Sequence, residues 1–302
     1  MKRIIRVLAI ILYFLILSGC NKEIEHSKET ADKSNEDIYI PVQEYTGEGY
    51  KLDNGEETER IAKENRAVVE KAVQRFFKEE YKTEITVHNI VGNVDGATVF
   101  VESVGEPHFY TYAIIPIDVE NEEVLEEDVW SQQNQVEDAI TTGLYAYAHQ
   151  QQFDELNTFI DSIANDFNLT GKTTEAIKNV GGAGFATNYY FIQIADEQPF
   201  KEILNTYIEQ PNIDQQSWYE LFKNTNFKPE SFLISIKLFT KDNQKPEQEL
   251  LDTIANKLEE TDNLPRGAYS IILNDNLVNK NTGIGEYENS IERSYPNDIV
   301  KE

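Results

Sequence analysis

The single cysteine of this 302-residue chain, Cys20, stands directly after an apolar run from Val7 to Leu17 and the small pair Ser18 and Gly19. One cysteine can neither close an internal disulfide nor build a multi-cysteine metal site, so whatever folds beyond it must be held by burial and hydrogen bonds. The material for a core is present: 40% of the residues are hydrophobic and 11% aromatic, with 16 Tyr and 15 Phe. Such a content of large apolar side chains belongs to a folding body and not to a disordered acidic tail. At roughly 100 to 200 residues per domain, the length admits one large domain or two small ones. Acidic residues outnumber basic ones by 54 to 27, a formal charge of −27. That balance argues against nucleic acid as a partner, because affinity for a phosphate backbone comes largely from Lys and Arg.

The eleven apolar residues before Ser18 follow Lys2, Arg3 and Arg6. They cover about half of the roughly 20 that a spanning helix needs, which marks an export signal and not a transmembrane anchor. Leu17, Ser18, Gly19 and Cys20 resemble a bacterial lipobox. The resemblance implies lipidation of the Cys20 thiol and cleavage ahead of it. Residues 1–19 are then a lipoprotein signal peptide, and residues 20–44 a lipidated cysteine with a flexible acidic tether. Removing the first nineteen residues takes away three basic and no acidic residues, leaving 24 against 54, or −30. Two acyl chains on a diacylglyceryl cysteine suffice for stable anchoring, so the expected location is the outer face of the cell membrane of a Gram-positive-type bacterium. The membrane is a partner through the lipid alone, since an acidic body is repelled by anionic headgroups within about 8 to 10 Å. From Asn21 to Asp37 the only large apolar residue is Ile24, and His26 reads as a solvated tether residue.

Beyond the tether the periodicities point to an α+β fold. Apolar residues at Ile61, Ala62, Val68, Val69, Ala72, Val73, Phe76 and Phe77 predict one helix over 57–81. Strands are expected at 85–91 and 97–104, joined by a turn at Asn93 to Gly96, and again at 108–119. In the third strand Phe109, Ala113, Ile115, Ile117 and Val119 share one face, and His108, Tyr110, Tyr112 and Asp118 the other. Pro116 has no N–H to donate, which places it at a sheet edge or puts the strand's tail outside the sheet. Two helices, or one bent near Gln150 to Gln152, account for the apolar spacing from Val136 to Phe167. Gly171 and the cluster Gly181, Gly182 and Gly184 read as a loop-rich boundary. Residues 45–180 are therefore expected to form an N-terminal α+β part and 181–275 a C-terminal one. The second part is read as a strand at 187–194, short helices at 200–208 and 217–223, and a βαβ-like unit of strand 232–240, helix 246–260 and strand 268–273. Residues 276–302 lose periodicity and are expected to be a polar, poorly ordered tail. The architecture is an N-terminal helix on an antiparallel meander, further helices, and a C-terminal mixed sheet.

Catalytic signatures are scarce. Thr170, Gly171, Lys172 and Thr173 imitate the end of a phosphate-binding P-loop, but Asp166 stands where its first glycine belongs. No G-x-S-x-G, S-x-x-K or H-E-x-x-H pattern occurs. His88, His108 and His149 lack a second His at ligand spacing, so no transition-metal site and no cofactor are expected, and surface acids are left with at most weak Ca²⁺ binding. The densest local chemistry lies in Glu102 to Tyr112, where two acids, an imidazole and two phenols gather around a Gly/Pro turn. Left open, the face of His108, Tyr110 and Tyr112 is a binding platform, and these are the candidate ligand-contact residues. The plainer arrangement is a helix covering that face, with the phenols bonded internally.

Several stretches resemble a known family: the lipobox at Leu17 to Cys20, YTGEGY at Tyr45 to Tyr50, VESVGEPHF at Val101 to Phe109, and TGLYAYA at Thr142 to Ala148. They are similar to staphylococcal-type lipoproteins that share a domain of unknown function, DUF1672. The resemblance implies a lipid-anchored surface protein and transfers no activity, ligand or catalytic residue. The expected role is non-enzymatic binding or interaction with an unidentified protein or small molecule. A second reading is a transporter's solute-binding lipoprotein, with a cleft near Gly181 lined by Tyr189, Phe191 or Trp218. A third, an extracellular hydrolase, requires a buried, perturbed carboxylate or histidine in a pocket.

Overall fold

The computed structural model describes residues 38–182, 184–285 and 289–302. The expected signal peptide, Cys20 and the tether with His26 lie outside the described residues. The spacing that predicted one helix over 57–81 resolves into α1 (Glu56–Glu64) and α2 (Arg66–Tyr81). Asn65 makes the break, because its side-chain amide donates to the Ile61 carbonyl at 3.0 Å and its own carbonyl accepts from Val68 and Val69. The two helices still share one apolar face, and Ile61, Ala62, Val69, Ala72, Val73 and Phe77 are all buried. That face packs on an antiparallel meander, in the order β2 (Ile85–Asn93), β3 (Gly96–Ser103), β4 (Tyr110–Asp118) and β5 (Glu123–Val124). The chain reaches these elements from β1 (Tyr39–Pro41).

Pro116 lies inside β4, opposite Gly96 on β3. The Ile114 N–H, two residues earlier, points away from β3 to the Trp130 carbonyl at 2.8 Å, so the Pro116 nitrogen faces outward as well. On that side, among the described residues, β4 pairs with the short β5 and through single bridges at Trp130 and Gly184, none of which calls on the Pro116 nitrogen, so no ladder bond is lost.

Helices α3 (Gln135–Ala148) and α4 (Gln150–Asp166) meet at His149, where the sequence allowed either two helices or one bent rod. Tyr145 of α3 is fully buried, stacks on Phe232 with ring centroids 3.9 Å apart, and donates its hydroxyl to the Arg266 carbonyl at 2.7 Å. It ties the helical layer to a mixed sheet. That sheet gathers β6 (Leu169–Thr170), β7 (Tyr190–Ile194), β8 (Phe232–Thr240) and β9 (Gly267–Asn274), with α5 (Thr174–Val180), α6 (Lys201–Glu209), α7 (Gln215–Asn224) and α8 (Gln248–Glu260) between them. Strands β8 and β9 run parallel with α8 crossing between them, the expected βαβ unit. Helix α8 begins at Gln248, so Pro246 precedes the helix instead of entering its first turn.

Three expectations need correction. Residues 276–302 are not a loose tail: β10 (Leu277–Asn279), β11 (Ile284–Gly285), β12 (Ser290–Arg293) and β13 (Ile299–Lys301) all pair, the last two with β9. Strands of two to four residues are too short for a period of two to show, and their buried anchors are single residues such as Val278 and Ile299. The expected tether does not extend to residue 44, because β1 pairs with β10, and Val42 and Tyr45 are fully buried with Ala176, Phe239 and Val278 in a second, smaller core. The division placed after residue 180 does not separate two bodies, since residues 39–302 form one compact unit. The glycine-rich stretch read as a boundary holds α5, whose N-cap Thr173 accepts from the Ala176 N–H at 3.0 Å.

Candidate functional site

The alternation read in β4 is correct in direction: Phe109 is buried in the main core, while His108, Tyr110 and Tyr112 turn the other way. Their face is not an open platform. Helix α5 and the segment after it lie over it, Tyr110 is 5% exposed, and the Tyr112 ring lies against Gly182. The Tyr112 hydroxyl donates to Gln132 at 2.8 Å. Tyr110 exchanges two backbone hydrogen bonds with Gly184.

At the centre of the covered face is Glu102 of β3. His88 Nε2 donates to one of its oxygens at 2.8 Å, and His108 Nε2 to the other at 3.0 Å. Lys178 of α5 stands at 3.2 Å and the Tyr110 hydroxyl at 3.3 Å. The β2 ladder shifts register between Val87 and Ile90, and this bulge sets the direction of His88. Partial burial alone would push the Glu102 carboxyl up, but hydrogen bonds from His108, His88 and Lys178 hold it down at about 2. Burial, then the neighbouring carboxylate, holds the Tyr110 phenol well above its ordinary value. The Tyr112 phenol is also raised, by burial. A carboxylate this acidic and phenols this weak are fixed in one state near neutral pH, which suits a clamp between strands and helix better than proton transfer. Among the described residues no group of three or more His, Cys, Asp or Glu has the arrangement of a metal site. The Lys178 ammonium also brings positive charge against this carboxylate, where a cation would have to sit.

Behind Tyr110 lies a cavity of about 250 Å³, walled by α5, the segment from Gly181 to Phe191, and β8. Tyr189 and Phe191, expected at a cleft near Gly181, line it, whereas Trp218 is buried in the main core. Its polar side chains include Lys172, just before α5, and Lys237 of β8; no Asp or Glu lines it. Burial, then the proximity of Lys237, pushes the Lys172 ammonium down to about 8. Lys237 is shifted the same way by burial. Among the described residues, neither ammonium has an ion pair or a hydrogen bond. A larger polar groove of about 670 Å³ runs along the Thr46 to Leu52 loop and α1; it carries charges of both signs, and two of its basic residues pair with acids of α1, Arg60 with Glu57 and Lys63 with Glu59.

Sequence reasoning singled out Lys172 only as part of a false P-loop. In the structure Thr173 caps α5, and Gly171 is required because a Cβ there would lie 2.0 Å from the Asn188 carbonyl oxygen. Lys237 was missed. Its signal is the single charge in the alternating strand FLISIKLFT, on the face that carries Phe239 into the second core.

Asp138 and His149 meet the perturbation criterion set for a hydrolase, though neither lines the cavity. Asp138 is raised to about 6 by burial and then by Glu197 and Glu137. His149 is lowered by burial and sits against Tyr145, Tyr219 and Phe222.

These features define a class: mixed α+β proteins in which a helix-covered antiparallel meander and a mixed sheet share one core. More narrowly, the chain belongs to the family described as protein of unknown function (DUF1672), whose family model matches residues 32–301. It is similar to the crystal structure of a DUF1672 family protein from Staphylococcus aureus subsp. aureus Mu50, with a TM-score of 0.70 and 19% identity over 88% of this chain and 98% of that one. At that identity the likeness shows the fold. A comparison with curated proteins finds no match.

Two of the three body stretches that resemble the family, YTGEGY and VESVGEPHF, meet at α5, and TGLYAYA packs against the second of them. The Tyr45 carbonyl accepts from Thr173 and the Thr46 carbonyl from Asn179. Gly143 of TGLYAYA lets α3 approach VESVGEPHF, since a Cβ there would lie 2.8 Å from the His108 carbonyl oxygen. Thr142 accepts the Phe185 N–H at 3.1 Å.

Proposed function

We propose that this chain is a lipid-anchored protein of the outer membrane face that binds a small ligand without transforming it. One observation carries the binding half: a half-enclosed cavity of about 250 Å³ with aromatic walls, a pair of lysines and no acid in its lining. Pockets of that make-up hold ligands by apolar contact and a few placed polar groups. The Glu102 cluster beside it is locked by its own hydrogen bonds and supports the cavity wall instead of acting as an acid or base. The anchoring half rests on Leu17 to Cys20 after a short basic and apolar start. Among the described residues no helix is long and apolar enough to cross a membrane.

Metabolic labelling with a clickable palmitate analogue tests the anchor. The wild-type chain should carry label in the membrane fraction, and Cys20→Ala should lose it; label retained by that variant overturns the assignment. Solute delivery to a transporter is the second reading: the cavity beside Gly181 with Tyr189 and Phe191 in its lining favours it, and the absence of two halves within residues 39–302, one compact unit, counts against it. Crosslinking on intact cells to a transmembrane transporter subunit would support it.

A further inference from the structure

We infer that the cavity between α5 and β8 takes a small organic anion, its oxyanion group set between Lys172 and Lys237 and its short apolar part against Tyr189, Ile177 and Val180. This inference rests on the binding reading above and names the ligand class for that site. The starting point is a mismatch of charge. The chain holds 54 acidic residues against 27 basic ones, yet two lysines face one cavity whose lining has no carboxylate. Elsewhere among the described residues basic side chains either find acids, as Arg60 finds Glu57, Glu64 and Glu122, and Lys178 finds Glu102, or stand exposed to water, as Lys51, Lys71 and Lys257 do.

Two like charges placed together and partly withdrawn from water repel each other and lose hydration, and an anion between them relieves both costs. The depressed Lys172 ammonium, held at about 8 by burial and then by Lys237, has the same origin and is still largely charged at neutral pH. The two side chains come from separate elements. Lys237 is carried by β8, and Lys172 is fixed by mutual bonds with Asn188, whose carbonyl accepts the Lys172 N–H at 2.9 Å while its side chain donates to the Lys172 carbonyl. Their spacing is therefore set by the fold and not by a flexible loop.

The remaining wall chooses among anions. Tyr189, Tyr190, Phe191, Ala176, Ile177 and Val180 present apolar surface, which a bare inorganic ion would leave unfilled. A volume of about 250 Å³ equals about eight water molecules at about 30 Å³ each, below the range of drug-sized pockets. The ligand is a short chain or single ring bearing one carboxylate or phosphate.

The test uses the chain from Asn21 onward, which contains the whole compact unit, with hexanoate, hexyl phosphate, hexylamine, 1-hexanol and inorganic phosphate as probes. Calorimetric titration and thermal shift should show saturable binding of hexanoate or hexyl phosphate, at least tenfold tighter than 1-hexanol, and none of hexylamine. Which of the two anions binds more tightly distinguishes a carboxylate source from a phosphate ester. Inorganic phosphate binding as tightly as hexyl phosphate overturns the apolar half of the assignment. The variant Lys172→Met with Lys237→Met should keep its circular dichroism and lose at least tenfold in anion affinity. Lys237→Met alone serves if the double variant misfolds. Equal affinity for hexanoate and 1-hexanol, unchanged in the variant, overturns the anion and leaves the binding reading standing. No response to any probe overturns both.

Discussion

Two polar constructions lie on either side of Tyr110, and they handle buried charge in opposite ways. In one, Glu102 is surrounded by donors from His88, His108, Tyr110 and Lys178, so its negative charge is answered on both oxygens. In the other, Lys172 and Lys237 face a cavity with no acid in its lining. The first joins β2, β3, β4 and α5 and has nothing left to offer a ligand. The second is held open by the same α5. The sequence offered the first as a candidate platform beside the plainer reading of a face covered by a helix, because a cluster of acids, imidazole and phenols looks chemical in one dimension. In three dimensions, saturation marks a structural cluster and an unanswered charge marks a site.

The largest expected effect comes from removing the centre of the saturated cluster. Glu102→Leu leaves two imidazoles, a phenol and an ammonium facing an apolar side chain, and should destabilise by about 3 kcal/mol, the low end for a broken buried pair because the Glu102 side chain is still 17% exposed. Urea unfolding of the chain from Asn21 onward measures it. A loss below about 1 kcal/mol would reduce the cluster to an ordinary solvated surface network and erase the contrast with the cavity.

Acid sharpens the same point. The Glu102 pKa is lowered in the folded state to about 2 from an ordinary value of 4.5. A depressed carboxylate contributes stability that is fully present above its unfolded value and is lost as pH falls toward its folded value. Between pH 5 and pH 2 the wild-type chain should therefore lose more stability than Glu102→Gln, whose amide does not titrate. Parallel curves for the two would remove Glu102 from the acid response.

Much of this architecture was legible before any coordinates. The meander, the α3 and α4 helices and the βαβ unit each carry a run of eight or more residues with a clear period. What was not legible was short or relational. Asn65 breaks a helix through its own side-chain bond to Ile61, which no apolar spacing records. Strands β10 to β13 are too brief to alternate, and β1 makes sense only beside β10. The face of His108, Tyr110 and Tyr112 was read correctly, but its cover comes from α5, more than sixty residues downstream. Lys237 could have been found as the one charge on an apolar strand, and Lys172 only once Asn188 had placed it.

On the cavity side the sign of the effect reverses. Lys172 is partly buried, with its ammonium lowered to about 8 from 10.5, so in the absence of ligand it opposes folding. Lys172→Met should stabilise the protein by about 1 kcal/mol at pH 7, after discounting for the part of the side chain that still meets solvent. Between pH 8 and about 10 the unfolded chain still holds that proton while the folded one releases it, so wild-type stability should rise with pH from this group. Lys172→Met should lack the rise. Destabilisation by this variant would mean that the ammonium has a partner after all and that the cavity resembles the Glu102 cluster.

The smallest effect tests the residue the two regions share. Tyr110 donates to Glu102 across 3.3 Å, a long bond, and its ring forms part of the cavity wall. Tyr110→Phe keeps the ring and removes only the hydroxyl. Three donors remain on Glu102, so the loss should be about 0.5 kcal/mol, within the range of one neutral donor on a partly solvated acceptor. Hexanoate affinity should stay within twofold, since the wall is unchanged and the hydroxyl already serves Glu102. In a double-mutant cycle with Glu102→Gln, the coupling should account for most of the Tyr110→Phe loss. A tenfold change in anion affinity with no coupling to Glu102 would move the hydroxyl from the saturated cluster into the ligand site and make Tyr110 a third contact for the anion.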